Sequence, residues 1–516
     1  MLKTDAFFLR NLQARKYGRR AVATSIINFT DKETAKGSYG GTRLLSWLAG
    51  NKSSSLPPLD FPLPGVKLPP SLPDYIEPIK TNITTLPNGL KVASESSLSP
   101  TASIGLYVDC GSVYETPLSS GATHLLKQMA FKTTRNRSHL RLVREVEAIG
   151  GSVTASATRE QMGYTFDALK SYVPEMVELL IDSVRNPVFL DWEDNEQQLA
   201  RVKSEIAKNS NNRQSLLLEA LHSAGYSGAL QNPLLAPKSA IIRLNGTILE
   251  EFVAENYTAP RMVLAASGVD HERLLSVAEP LLADLPNVPC SKVPKSEYVG
   301  GDFRCQAYYR STHVVLAFEV PGGLHNEKDA IALTVLQTLM GGGASFSLGG
   351  PGKGMHSRLY CRVLKQYRKV RSFCAFKSMY NDSGLFGIYA TTGSDFVSQA
   401  VELATGELLA IAVPGQVTNV ELNRAKNSTK SAVLMKLESR MVVTEDIGRQ
   451  ILTYGQRKPV EHLLNVLTEI TLDDITSIAQ KVISTPLTMV AMGDVVNVPS
   501  YDCVSFLFRA SQLFDS

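Results

Sequence analysis

His124, Lys127 and Gln128 lie within about one helical turn of each other in the stretch Gly121–Lys132. Side chains at i and i+4 of a helix share a face, so positions 124 and 128 could reach one metal ion together. A hydrolytic zinc needs three protein donors, an open position for water and a base to take the water's proton. One imidazole beside an amide and an ammonium makes a poor donor set. Lys127 would set an ammonium beside the cation, and a protonated lysine accepts no proton. A packed helix histidine at His124 is the reading these residue types favour. This half of the chain is expected to hydrolyse no peptide and to hold no metal.

A second pattern is G-G-G-A-S-F-S-L-G-G-P-G-K-G, Gly341–Gly354, with seven glycines in fourteen residues. Glycine-rich loops can cradle phosphate through exposed backbone N–H groups. Here Ser347 stands where such a loop needs its first glycine, and Gly354 stands where a Ser or Thr should follow Lys353. No G-x-G-x-x-G is present either. On spacing alone what remains is a bland flexible linker, since glycine permits many backbone states.

The elements around these residues occur twice. Ala102–Asp109 reads as a strand, followed by a Gly turn and a helix from about Ser120 to Phe131; His313–Val320, Pro321-Gly322-Gly323 and a helix from about Lys328 to Met340 repeat that order. Phe189–Ile206 is echoed by Val417–Val433, and Leu264–Val269 by Val490–Val495, at offsets of about 211 to 228 residues. Apolar stripes at helical spacing run through Val177, Leu180, Ile181 and Val184, and through Trp192, Leu199, Val202 and Ile206. The expectation is α+β: two homologous lobes over 81–284 and 303–503, joined by a linker at 285–302.

Composition narrows the function. At 516 residues, 44% hydrophobic and 20% charged, the chain has the profile of a globular protein, and no stretch has the roughly 18 apolar residues that a membrane span requires. Of the net charge of +4, residues 1–30 hold six basic groups against one acid, so the body is close to neutral and nucleic acid is not an expected partner. That head, with Phe7, Phe8, Leu9 and Leu12 among its charges, reads as a mitochondrial transit segment over about 1–40, or else as a basic arm. Residues 41–80 follow as an extended arm, with seven prolines between Pro57 and Pro73. Six cysteines show no C-x-x-C pair and read as structural thiols.

The helix G-A-T-H-L-L-K-Q-M-A-F-K after a strand and Gly turn resembles that of the pitrilysin-type peptidases, whose active members carry H-x-x-E-H there. The resemblance implies two pitrilysin-like α/β-sandwich lobes. On that pattern His124 holds the first ligand position, Lys127 the base position, Gln128 the second histidine position and Glu205 the third ligand position. The glycine-rich loop with M-H-S-R-L-Y (Met355–Tyr360), S-S-S-L-P-P-L-D-F-P-L-P-G-V (Ser53–Val66), S-S-G-A-T-H-L-L (Ser119–Leu126) and E-D-I-G-R-Q-I-L-T-Y-G (Glu445–Gly455) are similar to plant members of the alpha-subunit family of the mitochondrial processing peptidase. The likeness runs from about Ser53 to Tyr501. It implies a non-catalytic subunit that binds precursor presequences through Gly341, Gly342, Gly343, Ser345, Phe346, Gly349, Gly350, Gly352, Lys353 and Gly354. It implies a homologous beta subunit that carries the zinc, with no cofactor in this chain. It further implies a place on the matrix side of the inner membrane as a core subunit of complex III, beside cytochrome b and cytochrome c1. A purely structural core subunit of that complex is the alternative.

Overall fold

The computed structural model describes residues 80–514, except 98, 190–203, 205–211, 238, 240–242, 290–294 and 345–353. The basic head, the proline-rich arm, the Trp192–Ile206 stripe, Glu205 and the middle of the glycine-rich loop lie outside the described residues.

The strand T-A-S-I-G-L-Y-V (β3, Thr101–Val108) is buried along almost its whole length, so both of its faces must be covered. It sits in a six-stranded sheet with β1 (Asn82–Thr85), β2 (Lys91–Glu95), β4 (Ser152–Ala157), β5 (Met162–Leu169) and β7 (Met262–Ser267), in the order β1-β2-β7-β3-β5-β4. The second sheet is built from β9 (Gly301–Gln306), β10 (Thr312–Glu319), β11 (Gly342–Ala344), β12 (Val370–Met379), β13 (Gly384–Thr392) and β14 (Thr488–Gly493), in the order β11-β12-β13-β10-β14-β9. The duplication is visible strand for strand: β2-β7-β3-β5-β4 corresponds to β9-β14-β10-β13-β12, and in each sheet the β2–β7 or β9–β14 pair is parallel while the rest are antiparallel. Part of the segment expected to be a plain linker is ordered differently. Its β8 (Ser296–Tyr298) pairs with β6 (Tyr226–Gly228) in a small ribbon, and β9 begins at Gly301.

Helices run between the strands: α1 (Ala122–Met129), α2 (His139–Ala148), α3 (Val173–Arg185), α4 (Arg213–Gly225), α5 (Gly246–Asn256), α6 (His271–Leu282), α7 (Glu327–Met340), α8 (Val397–Ala412), α9 (Asn419–Leu437), α10 (Arg440–Tyr454), α11 (Val460–Glu469), α12 (Leu472–Ile483) and α13 (Tyr501–Phe514). α13 continues past the expected end of the second lobe at 503. Val177, Leu180, Ile181 and Val184 of α3 and Leu274 and Leu282 of α6 close one face of the first sheet against Ile104, Leu106 and Val108. α7, α8 and α12 cover the matching face of the second sheet.

The remaining faces are covered by exchange. Leu217 and Leu221 of α4, from the first repeat, pack on Val315, Ala317, Tyr389 and Val490 of the second sheet. Val443, Ile447 and Ile451 of α10, from the second repeat, pack on Ala93, Tyr107, Val263 and Ala265 of the first. Each repeat therefore completes the core of the other, and the two lobes stabilise each other through buried apolar area.

Tyr107 fixes how closely α10 can approach. Its fully buried ring lies against Gly448, and its hydroxyl lies 3.3 Å from Thr165 Oγ1. A Cβ on Gly448 would stand 2.1 Å from Tyr107 Cδ2. In an open helix Gly→Ala stabilises by about 1 kcal/mol. Here Gly448→Ala is expected to destabilise by about 1–3 kcal/mol through overpacking. Adding Tyr107→Leu should recover part of the loss, with both effects read from urea denaturation midpoints.

Candidate functional site

α1 starts where Gly121 takes φ 95°, a left-handed conformation that suits glycine. The buried Glu115 carboxylate caps its first turn, accepting from Gly121 N at 2.7 Å and Thr123 N at 2.8 Å. Arg243, ahead of α5, donates to Leu118 O at 3.1 Å and Ser120 O at 2.7 Å, so the turn into α1 is held from both sides. His124 is 4% exposed, while Lys127 and Gln128 are half-buried.

The His124 ring is oriented against metal binding. Its Nδ1 accepts from the backbone N–H of Ala236 at 3.2 Å. A backbone N–H can only donate, so this bond uses the Nδ1 lone pair and leaves the proton of the neutral ring on Nε2. Metal-ligating histidines show the reverse polarity: the outer nitrogen donates its N–H and the inner one gives its lone pair to the ion. The Nε2–H instead faces the side-chain amide of Gln128, which must turn its oxygen toward the ring to accept. Among the described residues no group of three or more His, Cys, Asp or Glu side chains could hold a metal ion. Zinc does not fit the residues at positions 124, 127 and 128.

The glycine-rich loop is described only at its two ends, Gly341–Ala344 and Gly354. β11 forms an edge of the second sheet, pairing Gly342 with Cys374 and Ala344 with Ser372. Gly342 has φ 96°, and a Cβ there would stand 2.0 Å from Phe373 O, so the first stem residue must be glycine. The stems meet at Ser357, whose Oγ accepts from Gly342 N at 3.1 Å and whose own N–H donates to Gly354 O at 2.9 Å. The next residue, Arg358, has a fully buried side chain that ion-pairs Glu407 of α8 at 2.9 Å and donates to Gln416 O at 2.9 Å. The M-H-S-R-L-Y segment thus anchors the loop to the second core. Ser345, Phe346, Gly349, Gly350, Gly352 and Lys353 lie outside the described residues.

Sequence reasoning did not find one contact between the repeats. Glu160, in the β4–β5 turn, accepts through both carboxylate oxygens from Asn381 N, at 3.0 and 3.1 Å, beyond β12. No local signal marks it, because its partner is 221 residues away. Burial raises the Glu160 carboxyl to about 7, the bonds from Asn381 oppose the rise, and the neighbouring Asp109 and Asp382 charges add to it. The folded protein therefore keeps a proton that the unfolded chain releases above its ordinary value of 4.5. Stability should fall as pH rises from about 4.5 to about 7, and Glu160→Gln should flatten that part of a pH series of melting curves. Arg358→Ala should cost about 3 kcal/mol by leaving Glu407 buried beside only the more distant Arg362. Denaturant unfolding would measure this, and Arg358→Ala/Glu407→Ala together should lose less than the single change.

The family description Insulinase (Peptidase family M16) matches residues 91–238, and Peptidase M16 inactive domain matches residues 243–429. The mitochondrial-processing peptidase subunit alpha of Solanum tuberosum is 66% identical over 467 residues, covering 90% of this chain and 92% of that protein. Subunit 2 of the human mitochondrial cytochrome b-c1 complex is 33% identical, covering 83% of this chain and 92% of that protein. Among solved structures, a chain of Complex III2 from Candida albicans with Inz-5 bound superposes with a TM-score of 0.71 at 20% identity, over 83% of this chain and 99% of that one, a likeness of fold. At the identity and coverage of its potato relative, the chain belongs to the mitochondrial-processing peptidase alpha-subunit family within peptidase family M16.

Proposed function

We propose that the chain is the non-catalytic, presequence-recognising alpha subunit of a heterodimeric mitochondrial processing peptidase, and that it also serves as a core subunit of respiratory complex III. The observation that carries the non-catalytic half is the His124 ring, whose Nδ1 takes the Ala236 N–H while Gln128 and Lys127 occupy the ligand and base positions. Hydrolysis must then be supplied by another chain. We assign it to a homologous beta subunit with an intact H-x-x-E-H, in which zinc would lower the pKa of a bound water and a glutamate would take its proton.

The role of this chain is to hold the extended presequence. The stem geometry supports the assignment of Gly341, Gly342, Gly343, Ser345, Phe346, Gly349, Gly350, Gly352, Lys353 and Gly354 to that task. Two glycines and Ser357 close the loop at its base, and Arg358 ties that base to a rigid helix, so backbone groups can be offered from a fixed platform. An extended peptide pairs readily with an exposed strand edge, and β11 is an edge strand. The chain acts in the mitochondrion, and we place it on the matrix face of the inner membrane. None of the described helices is long and apolar enough to cross that membrane.

The relative from the human cytochrome b-c1 complex favours a second reading, in which the chain is a structural core subunit alone. One experiment separates the two. The purified chain should cleave no precursor and carry no stoichiometric zinc by elemental analysis. Mixed with the beta subunit it should support processing, and changing the beta subunit's motif glutamate to glutamine should abolish it. Deleting Gly341–Gly354 should weaken presequence binding and slow processing while leaving assembly intact. Co-purification with cytochrome b and cytochrome c1 but no processing by the mixed pair would leave only the structural role.

A further inference from the structure

A lysine stands in the core-facing row of β12. Period-2 alternation puts Phe373, Ala375, Lys377 and Met379 on one face, and Phe373 and Ala375 are full members of the second apolar core, with Met379 packed against it. Lys377 is half-buried there, with its ammonium drawn in among apolar side chains. Lys377 has no ion pair among the described residues. Its Nζ donates to Thr334 Oγ1 on α7, and the Thr334 hydroxyl in turn donates to Ala330 O at 2.8 Å, so the acceptor is a neutral hydroxyl.

Lys377 opens into a cavity of about 420 Å³ between the repeats, within the size range of small-molecule sites. Its walls include Ile331 and Thr334 of α7, Val433 of α9 and Leu463 of α11, and apolar surface predominates. The other charges around it are already engaged. Glu327 pairs with Lys458 at 2.7 Å, Arg449 with Glu445 at 2.8 Å and Asp446 with Arg457 at 3.2 Å, while Glu160 takes the Asn381 N–H. Lys436, at the end of α9, adds positive potential at Lys377. The cavity therefore combines a cation with no ion pair among the described residues, the Thr334 hydroxyl beside it and a largely apolar wall.

We propose that this cavity binds an amphipathic carboxylate, with its head group on Lys377 and Thr334 and its apolar chain along Ile331, Val433 and Leu463. Two opposite needs meet in such a ligand. The carboxylate compensates the half-buried ammonium through a charge-assisted hydrogen bond, and the chain removes the apolar wall from water. Burial and the Lys436 charge hold Lys377 down to about 8. Binding should accordingly weaken as pH rises through about 8, where the ammonium is lost. Presequences are basic, so this site is separate from the peptide-binding role.

The test uses the assembled full chain, titrated with decanoate in a calorimeter. Decanoate should bind one per chain, decanol at least tenfold more weakly, and decyltrimethylammonium not at all. Lys377→Met should weaken decanoate at least tenfold and Lys377→Arg should largely retain it. Ile331→Trp, which fills the cavity and leaves the lysine in place, should also abolish binding. Equal decanoate affinity in Lys377→Met or Ile331→Trp would overturn the proposal. So would decanol binding as tightly as decanoate, or displacement of decanoate by a basic presequence peptide. Should both variants fail to fold, the unaltered protein decides: the Met379 methyl group must show a nuclear Overhauser contact to the decanoate chain, and its absence sinks the idea.

Discussion

Each sheet of this molecule has two apolar faces, and its own repeat covers only one of them. The second face of the first sheet is closed by α10 and that of the second by α4, each donated by the opposite repeat. Neither repeat can bury its central strands alone. A strand such as β3, apolar on both faces, would expose one of them in an isolated lobe. This exchange explains why Gly448, far along the chain, is constrained by the Tyr107 ring. It also explains why the turns that carry Glu160 and Asn381 meet, and why a cavity forms between the repeats at all.

The same architecture separates holding from cutting. In the first repeat the helix that could carry a zinc centre is well made: its first turn is capped by Glu115 and its entry is braced by Arg243. What fails is the chemistry. A backbone N–H bonds the ring nitrogen that in a zinc ligand would donate to a nearby oxygen, and Gln128 and Lys127 supply neither ligand nor base. The helix holds its place without a metal because Ala122, Leu125, Leu126 and Met129 pack it into the first core. In the second repeat the scaffold presents a glycine-rich loop instead, its base closed at Ser357 and pinned by Arg358.

Lys377 shows the cost that such a scaffold can carry. A half-buried ammonium against a single hydroxyl is unfavourable, yet the surrounding row of Phe373, Ala375 and Met379 holds it in place. A structure whose cores are large enough can keep one such group where a ligand would compensate it.

The sequence by itself determined the duplication, the strand and helix at the head of each repeat, and the incapacity of positions 124, 127 and 128. These depend on local periodicity and on residue type, which act over a few residues. The stripe of Val177, Leu180, Ile181 and Val184 was legible for the same reason. Tertiary structure alone decided which helix covers which face, since α4 and α10 bury apolar stripes that would suit either sheet. It alone fixed the polarity of the His124 ring, which depends on the backbone of Ala236, 112 residues away. It alone joined Glu160 to Asn381, and placed Lys377 in an apolar row beneath α7. In each case the partner is distant in the chain, and hydrophobic pattern specifies how much surface must be buried but not against what.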